Sequence, residues 1–552
     1  MEHNVGPVNP DPSEKGPPSQ LVLSVALSFL AGILAVWIGH RFASSAVVDI
    51  GPTDANYVSG FRDIERDGPA YFRWSSVPFS RIVAPIRFCG PGTLQIRARR
   101  HFLDPAILTV SLGGVVLGKR SIRAGGDQPY ETIEFPVLTA PCESISSVLL
   151  EASVDNDRPL GAAVDWLRFR SDSGFGSTNS TLWAGGLGLV LIAGSMLIAG
   201  VSGWSLFAIN GPLALLLGLT FAADPIAGER ILRGGLVALI LTQTIGLALG
   251  RVSGLRILSF RGRAILAALT VGALAIRLAF LHPQAFYPDY RVHALVQQTY
   301  SSLGLTRFLD QLFEIQYARS LGLQQIDGNW YPFPYPPGPY AIIGAVRALS
   351  GLEALDVAIA VAASAGALMP LVTLALGLRL GLTPTVGLWA AFFLALQPLL
   401  VRRMALGYFP GVIGQFVDAL ALLVVVRCVS DSTHWRRRIW VLIGVLLTAF
   451  LVYTQSIANF GLLIASLLAL ELVRRSTAAV GAIRVGAAAF IALGLALALG
   501  GIGLTLEDLV QLYAALGDEG EARPLVTEDA TPLSFSPRTK ASSSIGELTR
   551  PS

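Results

Sequence analysis

The sequence predicts a polytopic α-helical membrane protein of about eleven spans, with an extracytoplasmic β-sandwich between the first and second. Three observations lead there. Of 552 residues, 53% are hydrophobic and only 14% charged, against about 25% in soluble domains. Apolar runs of roughly 17–25 residues recur along the chain, the length a helix needs to cross a bilayer. One segment, residues 45–172, instead alternates apolar and polar residues with the period of a strand.

Residues 1–20, rich in Pro and Ser, read as a disordered cytoplasmic tail. Residues 21–40 form the first span. No basic stretch precedes it and no small-residue cleavage site follows, so it reads as an uncleaved anchor. In the sandwich, Thr93–Arg99, Ile107–Val110, Tyr130–Val137, Val148–Ala152 and Val164–Phe169 have strand period, punctuated by Gly, Pro and Asp. Asp157-Arg-Pro-Leu-Gly161 before Val164-Asp-Trp-Leu-Arg-Phe169 resembles the last strands of galactose-binding-like jelly rolls. Such modules serve as sugar binders or as spacers. Cys89 and Cys142 both fall in this segment and form either a disulfide or two buried thiols.

Three accessory spans follow over 181–250. A core of further spans occupies 264–503, interrupted by a long outer loop, 282–354, and residues 504–552 form a polar, largely disordered tail. The piece 340–349 is too short to cross and is placed as a re-entrant or surface helix. Arginine placement supports this topology. With the N-terminus cytoplasmic, Arg251, Arg256, Arg261, Arg263, Arg379, Arg436–Arg438, Arg474 and Arg475 all fall inside. Counting 340–349 as a span would put the later clusters outside. The net charge of +4 is therefore a topology signal at the ends of apolar runs, and no nucleic-acid partner is implied.

The outer loop carries the chemistry. It opens Phe286-Tyr-Pro-Asp289-Tyr-Arg291-Val-His293, and closes Tyr331-Pro-Phe-Pro-Tyr335-Pro-Pro-Gly-Pro-Tyr340. Asp289 stands about eight residues beyond a span, near the membrane surface. It can serve as a general base toward a hydroxyl, or as a helix cap. His293 falls one helical turn later. Asp310 and Glu314 read as the solvated face of a surface helix, and Asp327-Gly as a turn. Five prolines stiffen the closing stretch. Arg402 and Arg403 break the positive-inside pattern, just before Tyr408. Guanidinium pairs bidentately with phosphate, so they are either anion ligands or interfacial anchors. No DxD, HExxH, P-loop or GxSxG element occurs, so the motifs suggest neither metal, nucleotide nor other cofactor.

Taken in order, these residues resemble the GT-C class of membrane glycosyltransferases, which includes the protein O-mannosyltransferases and the aminoarabinose transferase of lipid A. The likeness spans roughly 264–475. It rests on the acid after a span (Asp289), a long outer loop, the Tyr335-Pro-Pro-Gly-Pro-Tyr340 element before a re-entrant helix, and a span ending near Gln397-Pro398. The resemblance implies inverting transfer of a sugar from a polyprenyl phosphate to a glycan, lipid or protein acceptor. It implies Asp289 as base and Arg402 and Arg403 at the donor phosphate. Arg291, His293, Tyr335 and Tyr408 are further candidate substrate contacts. Tyr290 and Arg291 stand where many members carry a second acid. The implied location is the inner membrane, with loop and sandwich outside. The alternative is a non-enzymatic envelope scaffold, or a glycan- or lipid-binding protein of the same architecture. A transporter would need ionisable groups within the spans, for which Arg277 and Asp418 are the candidates.

Overall fold

Alternation of buried and exposed residues builds the sandwich. It is clean in β1 (Ser45–Asp49), β5 (Phe79–Ala84) and β10 (Glu131–Val137). The computed structural model describes residues 18–51, 54, 57–67, 70–100, 105–123, 129–138, 145–154, 160–198, 204–252, 255–282, 288–319, 323–326, 329–332, 335–430, 435–453, 455–474 and 479–498. Residues 1–17 and 499–552 of the tails, Cys142, Asp157 and Asp327 lie outside the described residues.

The other strands are β2 (Val58–Ser59), β3 (Phe61–Asp67), β4 (Ala70–Ser76), β6 (Arg87–Phe88), β7 (Gly92–Arg99), β8 (Ala106–Leu112), β9 (Val115–Ile122), β11 (Ser146–Val154), β12 (Leu160–Ser171) and β13 (Phe175–Gly176). One antiparallel sheet runs β10-β7-β12-β4-β3, with β1 also on β12, and the other runs β2-β5-β11-β8-β9. Ile96, Phe135 and Phe169 of the first sheet share one buried core with Leu108, Val148 and Leu150 of the second. All five sequence-predicted strands are present, as β7, β8, β10, β11 and β12. Among the strands not foreseen, which include the interior β4 and β5, are β3 and β9. Both are edge strands, and their charges (Arg62, Asp63, Glu65, Arg66; Lys119, Arg120) hide the apolar alternation while discouraging edge-to-edge pairing. The β8–β9 turn is Gly113-Gly114, both at positive φ (56° and 84°), as a tight hairpin turn demands.

The helices are α1 (Pro18–Phe42), α2 (Asn179–Ile198), α3 (Trp204–Ala223), α4 (Pro225–Val252), α5 (Phe260–Leu278), α6 (Pro288–Arg319), α7 (Pro337–Ser350), α8 (Ala354–Arg379), α9 (Pro384–Ala395), α10 (Pro398–Ala405), α11 (Phe409–Ser430), α12 (Trp435–Val452), α13 (Gln455–Arg474) and α14 (Ala479–Ala498). Helix α8 is the centre of the bundle. Its run of Ala, Gly and Ser is buried on every side and packs against α4, α5, α9 and α11, as an all-round apolar helix must be.

Every predicted run contains helix among the described residues, with 384–401 split between α9 and α10, but the expected eleven spans are corrected to seven candidates among the described residues. These are Val22–Phe42, Asn179–Leu197, Pro225–Arg251, Phe260–Leu281, Ala354–Arg379, Pro384–Ala405 and Phe409–Cys428. Three more apolar stretches, Ala208–Ala223, Arg438–Val452 and Arg484–Ala496, are shorter. The apolar part of α12 begins only after most of its arginine run, and Arg484 stands in the second turn of α14. Helix α4 starts well before the predicted apolar run, because Glu229, Arg230 and Arg233 of its first turns are charged yet helical. Ile226 in the same turns joins the sandwich core.

The chain divides into two units, Met1–Leu312 with Pro336–Gly501, and Phe313–Tyr335 with Ile502–Ser552. In the smaller, β14 (Leu323–Ile326) and β15 (Asn329–Pro332) pair as a hairpin whose last pair is Ile326 with Asn329. Their connection is where the sequence places the Asp327-Gly turn.

Candidate functional site

The outer-loop residues converge through helix ends. Pro288 opens α6, so Asp289 lies in its first turn, where proline and an acid are both favoured. The side chains of Asp289 and Arg291 are outside the described set. Helix α6 breaks at Gly304 (φ 69°), which separates the His293 half from the half carrying Glu314. Tyr335 is half-buried and precedes Pro336, the extended residue capping α7. Pro337 sits at the start of α7, and Gly351 ends it in the left-handed conformation (φ 68°). Fourteen residues at 1.5 Å each give roughly 21 Å, short of the hydrocarbon thickness, as the sequence predicts for this piece.

His293 and Tyr340 join α6 to α7. Both are buried, and His293 Nδ1 lies 2.7 Å from the Tyr340 hydroxyl. Burial pushes the imidazole down to about 4, so it is neutral at physiological pH. The same ring packs on Phe409, at 5.7 Å between centroids. Phe308, beyond the Gly304 break, returns to Tyr340 at 6.2 Å. Phe409 opens α11 directly after the corner that bears Arg402, Arg403 and Tyr408. There Arg402 and Arg403 occupy the last turn of α10, favourable for cations against the helix dipole. Arg402 and Tyr408 are exposed and Arg403 is half-buried. Tyr408 N–H donates to the Arg403 carbonyl at 2.9 Å. The first turn of α6, the start of α7 and the arginine corner are therefore locked at one end of the bundle. Phe409 and Phe308 were missed in the sequence, since nothing local marks which aromatics will meet.

A second charged group ties sandwich to bundle, and no motif announced it. Arg230 of α4 pairs with Asp356 of α8 at 2.5 Å, both nearly fully buried. Glu353, just before α8, is pushed up by burial and by Asp356 beside it. In the sandwich, Arg73 grips Asp54 with two bonds, 2.8 and 2.9 Å. Burial outweighs that arginine and holds Asp54 up at about 6. Asp49, half-buried and beside Asp165 and Asp54, reaches about 6 as well. Arg230 interacts electrostatically with Tyr57, and Glu353 with Asp54. The end of the outer loop and the sandwich thus share one end of the helices.

The two lone charges within the spans differ. Arg277 is fully buried against Gly366 of α8 and donates to Ala273 O at 2.8 Å. Asp418 accepts from Asn459 at 3.1 Å. Cys89 is disulfide-bonded and Cys428 is a buried free thiol. Among the described residues, no group of three or more His, Cys, Asp or Glu is gathered to hold a metal.

Two clefts stand apart from these residues. An apolar one of about 440 Å³ is lined by Val22, Val25, Ala26, Phe29 and Val190. A smaller one on the sandwich, about 140 Å³, is lined by Arg99, Ile122, Arg123, Pro129, Tyr130 and Glu131. The first is an apolar furrow on α1 and α2 and offers no polar group for chemistry.

No protein-family profile matches the sequence, and no curated protein matches it. Among solved structures, the chain is similar to a family 35 carbohydrate binding module from an environmental isolate, at 12% identity and TM-score 0.19, over 24% of this chain and 97% of that one. A family 35 module from Clostridium thermocellum gives 12% and 0.18, over 23% and 99%. A Cellvibrio mixtus module in complex with cellotriose gives 18% and 0.18, over 23% and 96%. Likenesses of this strength assign no activity and no ligand to the chain.

Proposed function

We propose that this chain is an inverting membrane glycosyltransferase of GT-C type. It takes a sugar from a polyprenyl phosphate and gives it to an envelope glycan, lipid or protein on the extracytoplasmic side of the inner membrane. The observation that carries the reading is the His293–Tyr340–Phe409 contact. It fixes the α6 turn bearing Asp289 to the same end of the bundle as the α10–α11 corner bearing Arg402 and Arg403. The Asp289 carboxylate removes the proton of an acceptor hydroxyl as that oxygen attacks the anomeric carbon. The bond to the lipid phosphate breaks in the same displacement, and the phosphate leaves with its charge. Arg402 and Arg403 offset that charge. Tyr408, exposed beside Arg403, is a further donor contact, and His293 holds the α6 turn through its buried bond.

The alternative is a scaffold, or a glycan- or lipid-binding protein, with no turnover. It is favoured by the exposure of Arg402 at a helix C-terminus, where a cation is stabilising without any ligand. The test is transfer by the purified chain in nanodiscs, across a panel of polyprenyl-phosphate sugars. Turnover of any member supports the enzyme. A folded sample that binds the lipids and turns over none supports the alternative.

A further inference from the structure

Asp418 lies nine residues into α11, an apolar span, where an ionisable side chain is costly and usually functional. Its surroundings are made of oxygen. Oδ2 accepts from the Asn459 amide at 3.1 Å. Oδ1 is buried and accepts no hydrogen bond among the described residues. The same holds for Oε1 of Gln415, one turn earlier on the same helix and so on the same face. Ser456, fully buried at the start of α13, sets its hydroxyl beside the carboxylate without completing a well-formed hydrogen bond. Toward the helix ends, Tyr453 stands in electrostatic reach of both Asp418 and Arg403.

Three buried oxygens, from a carboxylate, an amide and a hydroxyl, have no well-formed hydrogen bond among the described residues. Leaving such atoms bare in low dielectric costs free energy. A ligand must bring positive charge or donors, and must be small, because these atoms are closed to water. One carboxylate neutralises one charge. A divalent ion would leave a net buried positive charge. Hard oxygen donors without sulfur or imidazole exclude a preference for soft metals.

We propose that Asp418, Gln415 and Ser456 form an intramembrane site for a monovalent alkali cation. Asn459 orients the carboxylate from its second oxygen. The site stands independently of glycosyl transfer and uses none of the residues assigned to it.

The test is thermal unfolding of the full chain in neutral-lipid nanodiscs, followed by tryptophan fluorescence. Sodium chloride is exchanged for choline chloride at constant ionic strength. Binding to the folded state alone gives a saturable rise in the unfolding temperature with sodium. That rise is expected in the wild type and absent in Asp418→Asn. Gln415→Leu keeps the carboxylate and is expected to raise the sodium midpoint at least about tenfold, one lost ligand's worth. Each variant is read against its own choline baseline, so altered basal stability does not mask the result. A wild type indifferent to sodium overturns the proposal. So does an equal sodium response in Asp418→Asn. A melting point that follows pH in the wild type and ignores sodium also overturns it, because the carboxylate then holds a proton.

Discussion

Acidification tests the buried helix junction directly. The perturbation is a fall in pH from 7 to 4, compared between the wild type and His293→Gln, whose amide is neutral throughout and can still reach Tyr340. Burial lowers the His293 imidazole from 6.5 to about 4. Between those values the unfolded chain binds a proton that the folded chain refuses. Stability from this residue is therefore complete above about 6.5 and is lost as pH falls toward 4. With one pKa unit equal to about 1.4 kcal/mol, the wild type loses about 2 kcal/mol at pH 5 and about 3 kcal/mol at pH 4. Asp49 and Asp54, both raised to about 6, work in the opposite sense. Their folded forms hold protons that the unfolded chain has released, so they favour folding as pH falls from 6 toward 3.8. Both proteins share them, and they cancel in the difference. The assay is unfolding temperature in nanodiscs by tryptophan fluorescence at half-unit pH steps. The wild-type curve is expected to fall below that of His293→Gln progressively under pH 6.5. Parallel curves would mean that His293 is charged in the folded protein, and the sealed junction with Tyr340 and Phe409 would be wrong.

Two other perturbations have firm expectations. Arg230→Met strands Asp356 in a buried position and is expected to cost about 3–5 kcal/mol, with most of it recovered in Arg230→Met/Asp356→Leu; a thermal-unfolding double-mutant cycle reads both. Gly338 of α7 lies against α12, where an added Cβ would fall 2.6 Å from the Leu451 carbonyl oxygen. Gly338→Ala is therefore expected to cost about 1–3 kcal/mol by unfolding, and to slow transfer by displacing the start of α7; an unchanged melting point would remove that contact from the account.

How much of this was legible follows from where each signal resides. Apolar runs are local, so helix positions, the short α7 and the prolines before it could be read directly. Alternation is local too, and it found β7, β8, β10, β11 and β12, though not the interior strands β4 and β5. It failed at β3, where Arg62, Asp63, Glu65 and Arg66 decorate an edge. It failed again at the start of α4, where Glu229, Arg230 and Arg233 belong to the helix through tertiary pairing with Asp356 and within α4 itself. The eleven runs exceed the seven candidates among the described residues; α12 and α14 carry arginines near their starts that break the apolar stretch. At the site, Asp289 and the two arginines stood out by position relative to the spans. His293 and Tyr340 stood out too, but nothing local showed that they would meet each other, or that Phe409 and Phe308 would join them. His293 meets Tyr340 and Phe409, and Phe308 meets Tyr340, over long sequence separations, and one aromatic in an apolar chain looks much like another.

The most direct measurement compares wild type with Asp289→Asn for sugar transfer from the polyprenyl-phosphate panel, both shown folded by the same melting curve. A general base contributes at least about a hundredfold. The account expects wild-type turnover that falls by that factor or more in the variant. Equal turnover in the two proteins would contradict the role of Asp289, and folded wild type with no turnover on any donor would contradict the enzyme itself.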